Sequence, residues 1–156
     1  MRRKVLLLAI PLAAACRLAT TELTDAHKAD IAEAVEQAAR DYRESFWTRE
    51  NMDEFMSYNS DWAGSPFSEF DSLDELRSFG SSALEVWDAE TLEWGDMDVM
   101  VLGSDAAAVK GSYYIVADSA GVTRVRQDYD WADVWVREEG QWKVLVVRYT
   151  VRRGEL

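Results

Sequence analysis

The hydrophobic period of this chain changes once, near residue 90, and that switch restricts the fold more than any other feature. Before it, apolar residues recur at helical spacing. Ile31, Val35, Ala38, Tyr42 and Phe46 form one face, and Lys28, Glu33, Glu36, Arg40 and Arg43 form the opposite one. Thr24 stands where an N-cap is needed. Met52, Phe55 and Met56 mark a short second helix. Ser72-Leu73-Asp74-Glu75 fits a capping box that opens a third helix, with Leu73, Leu76, Phe79, Ala83 and Val86 as its apolar stripe. Residues 59–70 read as a ring-rich loop. After the switch, strand-like runs cover residues 91–102, 106–117, 122–137 and 141–152. They are separated by Gly103-Ser104-Asp105, Asp118-Ser119-Ala120-Gly121 and Glu138-Glu139-Gly140. Helices followed by consecutive antiparallel strands predict an α+β domain, with the helices on one face of a curved sheet.

The first residues carry a separate signal. Met1-Arg2-Arg3-Lys4 is a basic start, Val5 to Leu12 is apolar, and Ala13-Ala14-Ala15 precedes Cys16. The apolar stretch is too short to span a bilayer, so residues 1–15 read as an export signal. Leu12-Ala13-Ala14-Ala15-Cys16 resembles the lipobox of bacterial lipoproteins, which implies lipidation of Cys16 and a short tether over residues 16–23. Ala13 stands where that pattern usually has Leu. Ala13-x-Ala15 also suits ordinary signal cleavage and secretion, and an uncleaved anchor is the third reading. The domain proper then occupies residues 24–153. The expected location is the bacterial cell envelope, with membrane contact only through the lipid; the alternative is a periplasmic or secreted protein.

Charge and cysteine content exclude several classes. The formal net charge is −12, from 29 acidic and 17 basic residues, and a surface of that sign repels phosphate backbones. One cysteine permits neither an intramolecular disulfide nor a thiolate metal site. His27, the lone histidine, falls in the first turn of the first helix without a ligand-spaced partner. No glycine-rich phosphate loop and no Ser/His/Asp or Cys/His set occurs. The expectation is therefore no metal, no cofactor and no nucleic-acid partner.

The run Trp131-Ala132-Asp133-Val134-Trp135-Val136-Arg137-Glu138-Glu139-Gly140-Gln141-Trp142-Lys143-Val144 resembles the closing hairpin of SnoaL-like, ketosteroid isomerase-like proteins of the nuclear transport factor 2-like superfamily. A long first helix ending in Phe46-Trp47, followed by Glu50-Asn51-Met52-Asp53-Glu54-Phe55-Met56, adds to the resemblance, which covers roughly residues 26–150. It implies a cone-shaped sheet with three N-terminal helices on its concave face. It does not imply one activity, because this fold carries isomerases, dehydratases, hydrolases and non-enzymatic binders. Where many relatives read His-x-Ser, this chain reads Arg148-Tyr149-Thr150, so a titratable imidazole is replaced by a permanent cation.

A three-residue Glu138-Glu139-Gly140 loop would place Val136 opposite Trp142, Val134 opposite Val144, Ala132 opposite Val146 and Asp130 opposite Arg148. In that register Asp130 and Arg148 share the apolar inner face, where they either form the polar spot of a ligand pocket or merely tie two strands. Asp128 joins the same face. Tyr42, Trp62, Phe67 and Tyr113 complete the candidate ligand-binding set. The wider ring cluster, with Phe79, Trp87 and Tyr114, either walls a cavity or fills a core. The resemblance also offers weaker catalytic candidates: Tyr42 paired with Asp128 or Asp130 as an oxyanion-binding pair, and Asp61 as a base. Trp131 and Trp135 fall on the outer face in this register, which implies a homodimer. Three functions remain open. They are an exported binder of a small apolar or anionic molecule, an isomerase- or dehydratase-type enzyme using a Tyr/Asp pair, and a dimerising module without a pocket.

Overall fold

The computed structural model describes residues 22–61, 70–119 and 123–155. The export signal of residues 1–15, Cys16, most of the expected tether, Trp62 and Phe67 lie outside the described residues.

Among the described residues, three helices precede four strands, as the switch in period predicts. Helix α1 spans Asp25–Trp47, α2 spans Met52–Ser57 and α3 spans Leu73–Val86. Their starts are built by the expected caps. Thr24 Oγ1 accepts from the His27 amide at 3.3 Å, and Ser72 Oγ accepts from the Glu75 amide at 3.1 Å. Glu75 reaches back one residue further than the capping box requires, accepting from the Asp71 amide at 2.7 Å. The predicted stripe of α1 is buried at Val35, Ala38, Tyr42 and Phe46, with Ile31 packed at its edge.

Strands β1 (Trp87–Gly103), β2 (Ala106–Ser119), β3 (Thr123–Glu138) and β4 (Gln141–Glu155) form one antiparallel meander in the order β1-β2-β3-β4. The sheet curves because its outer pairs are interrupted. Pairing between β1 and β2 shifts between Ala89 and Thr91 and again between Trp94 and Met97, and pairing between β3 and β4 shifts between Val134 and Trp135. Each interruption bends the strand that carries the extra residue. Gly111 lies beside one of these bends, where the Trp131 indole lies over it. A Cβ there would come within 2.8 Å of Trp131 Cζ2 and 2.9 Å of the Asp96 carbonyl, so the close approach requires glycine. The helices fill the concave face, where Val35, Ala39, Tyr42 and Phe46 pack with Ile115, Tyr129 and Trp135 in one core. After α2, the Tyr58 carbonyl and the Ser60 amide bond to the backbone of Val144, which fastens this segment to the β4 edge.

The closing hairpin corrects the expected register. Its turn has two residues rather than three. Glu138 faces Gln141, and Glu139 and Gly140 take positive φ of 50° and 85°, the left-handed conformation of a tight hairpin corner. The pairing therefore begins one residue away from the expected one. The bulge at Leu145 then resets it, so that Val134 faces Val146, Ala132 faces Arg148, Asp130 faces Thr150 and Asp128 faces Arg152. The one-residue offset at the corner puts Trp135 rather than Val134 opposite Val144, and the bulge then restores parity, so Asp130 and Arg148 still share a face, which is the outer one. Gln127, Tyr129, Trp131, Asp133 and Trp135 point into the core and are buried. Asp130 and Arg148 are exposed on the outer face and do not share an interior spot: Asp130 pairs with Arg152 at 2.9 Å, and Arg148 donates to the Val147 carbonyl at 3.0 Å. Trp131 and Trp135 are interior, so the reason given for an outer-face dimer does not hold.

Candidate binding pocket

Between the helices and the concave face of the sheet lies a cavity of about 260 Å³. Rings dominate its wall. Tyr42, Phe46 and Trp47 come from α1, Tyr113 from β2, and Tyr129 and Trp131 from β3. The tyrosines of β2 and β3 form a flat panel, with ring centroids 4.6 Å apart and planes 8° from parallel. Tyr42 stacks on Phe55 at 4.6 Å and meets Trp135 edge-on at 6.0 Å. The cavity opens to solvent beside α3 and the end of β4, since Phe79 and Tyr149 both line it while remaining 52% and 49% exposed. Phe70 packs on Phe79 at this rim, with ring centroids 5.2 Å apart.

The polar part of the pocket centres on a residue expected at the surface. Arg43 is only 5% exposed. Its guanidinium donates to Asp133 Oδ2 at 2.9 Å and to the Ala39 carbonyl at 3.2 Å, and it lies 3.5 Å from the centroid of the Trp131 ring. Asp133, 2% exposed, also accepts from Trp135 Nε1 at 3.3 Å. Burial raises the Asp133 carboxyl above the ordinary carboxylate range, opposed by the Arg43 charge and by hydrogen bonds from Arg43 and Trp135. An ion pair this deep is kept because its members satisfy each other and because a guanidinium can lie flat on an indole. Only tertiary contact creates it, since 90 residues separate the partners.

Donors outnumber satisfied acceptors around the cavity. Gln127 Oε1 accepts from the Tyr129 hydroxyl at 2.9 Å, which leaves Gln127 Nε2 buried without a hydrogen-bond partner. Trp131 Nε1 is likewise buried and unpartnered, and both residues line the cavity. Asp133 Oδ1 is the third such atom. Buried polar groups are rarely left unsatisfied in native proteins, so two orphan donors on residues of one cavity wall call for an acceptor that the described residues do not supply. Trp47 Nε1, by contrast, donates to the Tyr113 hydroxyl at 3.2 Å.

The wall holds phenols in their protonated form over a wide range. Burial pushes Tyr113 up to about 12, against the opposing pull of Arg43 and of the Trp47 hydrogen bond. Burial raises Tyr42 as well, and Asp133 adds to that rise. Tyr129 is raised by burial and then by Tyr113 and Tyr149. These groups donate hydrogen bonds at neutral pH; none of the three is tuned toward accepting a proton there.

Of the residues expected at the site, Tyr42 and Tyr113 line the cavity. Asp130 and Arg148 lie outside it, as the register requires. Asp128 is on the outer face, half-buried, paired with Arg126 at 2.7 Å, and its carboxyl is lowered by the hydrogen bond from that arginine. Asp61 is exposed and is not part of the wall. Sequence reasoning missed Arg43, Gln127 and Asp133. Gln127 carried a usable signal: alternation places it on the same face as Tyr129, Trp131 and Trp135, so choosing the aromatic face would have brought it inside.

The sequence matches no described family and no curated protein. Solved structures share its fold. A hexachlorocyclohexane dehydrochlorinase (LinA type 2) superposes with a TM-score of 0.71 at 11% identity, covering 85% of this chain and 93% of the other. A putative scytalone dehydratase from Novosphingobium aromaticivorans gives 0.72 at 12% identity, covering 86% and 92%. A ketosteroid isomerase-like protein from Erwinia carotovora atroseptica gives 0.65 at 16% identity, covering 76% and 94%. The resemblance read from the closing hairpin and first helix thus holds at the level of the fold.

Proposed function

We propose that this chain binds a small, flat, largely apolar molecule carrying a hydrogen-bond acceptor, inside the cone formed by α1, α3 and the sheet. The observation that carries this reading is the pair of buried, unpartnered donors, Gln127 Nε2 and Trp131 Nε1, on a ring-walled cavity of about 260 Å³. A small apolar cavity with a few convergent polar groups is the usual form of a small-molecule site. The stacked Tyr113 and Tyr129 rings offer a planar surface to a planar guest. Similar folds in a dehydrochlorinase and a putative scytalone dehydratase support a cavity that admits compact ring compounds.

The test is titration calorimetry with 2-naphthamide, a neutral fused ring with an amide acceptor. Saturable binding is expected. Ala83→Trp, which fills the cavity from α3, should abolish it. Trp131→Phe, which removes one orphan donor and keeps an aromatic ring, should weaken it several-fold. Absence of saturable binding by the parent, or binding unaffected by Ala83→Trp, would overturn the reading.

A catalytic role rests on one observation, the buried carboxyl of Asp133 next to Tyr42 with its Oδ1 unpartnered. Asp133 is not among the lining residues, so such a role would act through Tyr42, which is. Turnover of a ring compound that is lost in Asp133→Asn, with binding retained, would favour the enzyme over the binder.

Export belongs to the same proposal. The basic start, the apolar stretch and Cys16 support a lipid-anchored envelope protein. Mass spectrometry of the mature N-terminus checks it: a lipid-modified Cys16 is expected, and an intact Met1 or an unmodified Cys16 counts against the anchor.

A further inference from the structure

Among the described residues, the two charged residues of the cavity wall are both cationic. In a chain with 29 acidic and 17 basic residues, the wall carries Arg43 and Arg153 and, among the described residues, no Asp or Glu. The two arginines differ. Arg43 is neutralised by Asp133 deep in the domain. Arg153 is exposed near the end of β4, its guanidinium 5.3 Å from the Trp87 ring, and it has no ion pair among the described residues. Its cross-strand partner on β3 is Gln127. Residues directly opposite on adjacent strands hold their Cβ atoms about 5 Å apart, so the guanidinium and the orphan Gln127 amide start from neighbouring positions on the same inner face. Gln127 is 2% exposed, lines the cavity and has its Nε2 unpartnered.

We infer that the bound molecule carries a carboxylate at one end, held at the pocket mouth by Arg153 and Gln127 Nε2, with its ring system inside against Tyr129 and Trp131. Two facts favour an anion over a neutral acceptor. A guanidinium and an amide N–H together supply donors that match the two oxygens of a carboxylate. Arg153 also stands at the rim, where an anionic end can keep part of its hydration while the apolar body is buried. In a chain this acidic the arrangement is selective: among the described residues, none of the lining side chains is a carboxylate that would repel such a ligand.

The inference rests on the pocket proposed above, and matched probes separate the two. 2-Naphthoate and 2-naphthamide share a ring system and differ in charge. Titration calorimetry should show 2-naphthoate binding about tenfold or more tightly than 2-naphthamide, the ratio expected for one charge-assisted hydrogen bond. Arg153→Gln should bring the two affinities within about twofold of each other, with the loss falling on 2-naphthoate rather than mainly on 2-naphthamide. Gln127→Leu should weaken 2-naphthoate more than 2-naphthamide. Equal binding of both probes by the parent, or a preference that survives in Arg153→Gln, overturns the carboxylate site and leaves the pocket standing. Failure of both probes to bind overturns both. Because Arg153 is exposed, its substitution spares the core, and an unchanged thermal melt of the variant verifies this.

Discussion

At the scale of single residues, the most consequential position is Arg43. Helical periodicity places it on the polar side of α1, next to the stripe that ends in Tyr42 and Phe46. In the fold it is drawn inward by Asp133 and by the face of Trp131. Removing one member of a buried pair leaves an uncompensated charge in a medium that solvates it poorly. Arg43→Met alone is therefore expected to cost about 3–5 kcal/mol in denaturant unfolding. The double change Arg43→Met/Asp133→Leu should cost clearly less, since it removes both charges and keeps apolar volume. A double variant as unstable as the single one would show that the pair stabilises more than its own charges require. The sequence discloses each residue of this site by type but not the pairing, because a cation on α1 and an acid on β3 become partners only when the sheet closes over the helix. For the same reason Gln127 reads as an ordinary polar strand residue until its neighbours are known to point inward.

Among the elements, the three helices were legible almost to their ends, because caps and apolar stripes are local signals. The strands were legible as strands but not as faces. Two local details moved the face assignment: a two-residue corner at Glu139-Gly140 and the extra residue Leu145. Valines outline the outer face at Val134, Val136 and Val146, and tryptophans with an aspartate outline the inner one. Judged by apolarity alone, the first set looks more interior than a face with a carboxylate in it. What decides is bulk together with a partner for the charge. Trp131 and Trp135 bury far more area than the valines, and Arg43 satisfies Asp133. The corner itself offers a test. Glu139 holds a positive φ of 50°, which costs an ordinary L-residue about 1–2 kcal/mol. Asn tolerates this conformation, and Asn-Gly is the preferred pair for such a turn. Glu139→Asn should therefore raise stability by about 1 kcal/mol in chemical denaturation. A lower stability would mean that Glu139 makes contacts outweighing its backbone strain.

For the whole molecule, the buried tyrosines tie stability to alkaline pH. Tyr42, Tyr113 and Tyr129 come from three different elements, and burial raises all three above their ordinary value of 10. A raised folded-state pKa means that the native state retains the proton longer than the unfolded chain. The associated stability is fully present below pH 10 and is lost as pH rises through the folded values. With Tyr113 near 12, that residue alone contributes about 2 kcal/mol of the loss between pH 10 and pH 12. Thermal melts across that range should fall steeply and in step with the appearance of tyrosinate absorbance; a flat melting temperature through pH 11 would contradict the burial of these rings. What the sequence determined by itself was everything carried by near neighbours: the order of elements, the helix stripes and caps, and the antiparallel meander. What only the tertiary structure decided was which side of the sheet became the interior and which polar groups met there. A strand presents two faces, and its own residues state only the alternation between them. The choice is settled by what the opposite layer brings, which here is the Arg43 guanidinium from a helix 90 residues away in sequence.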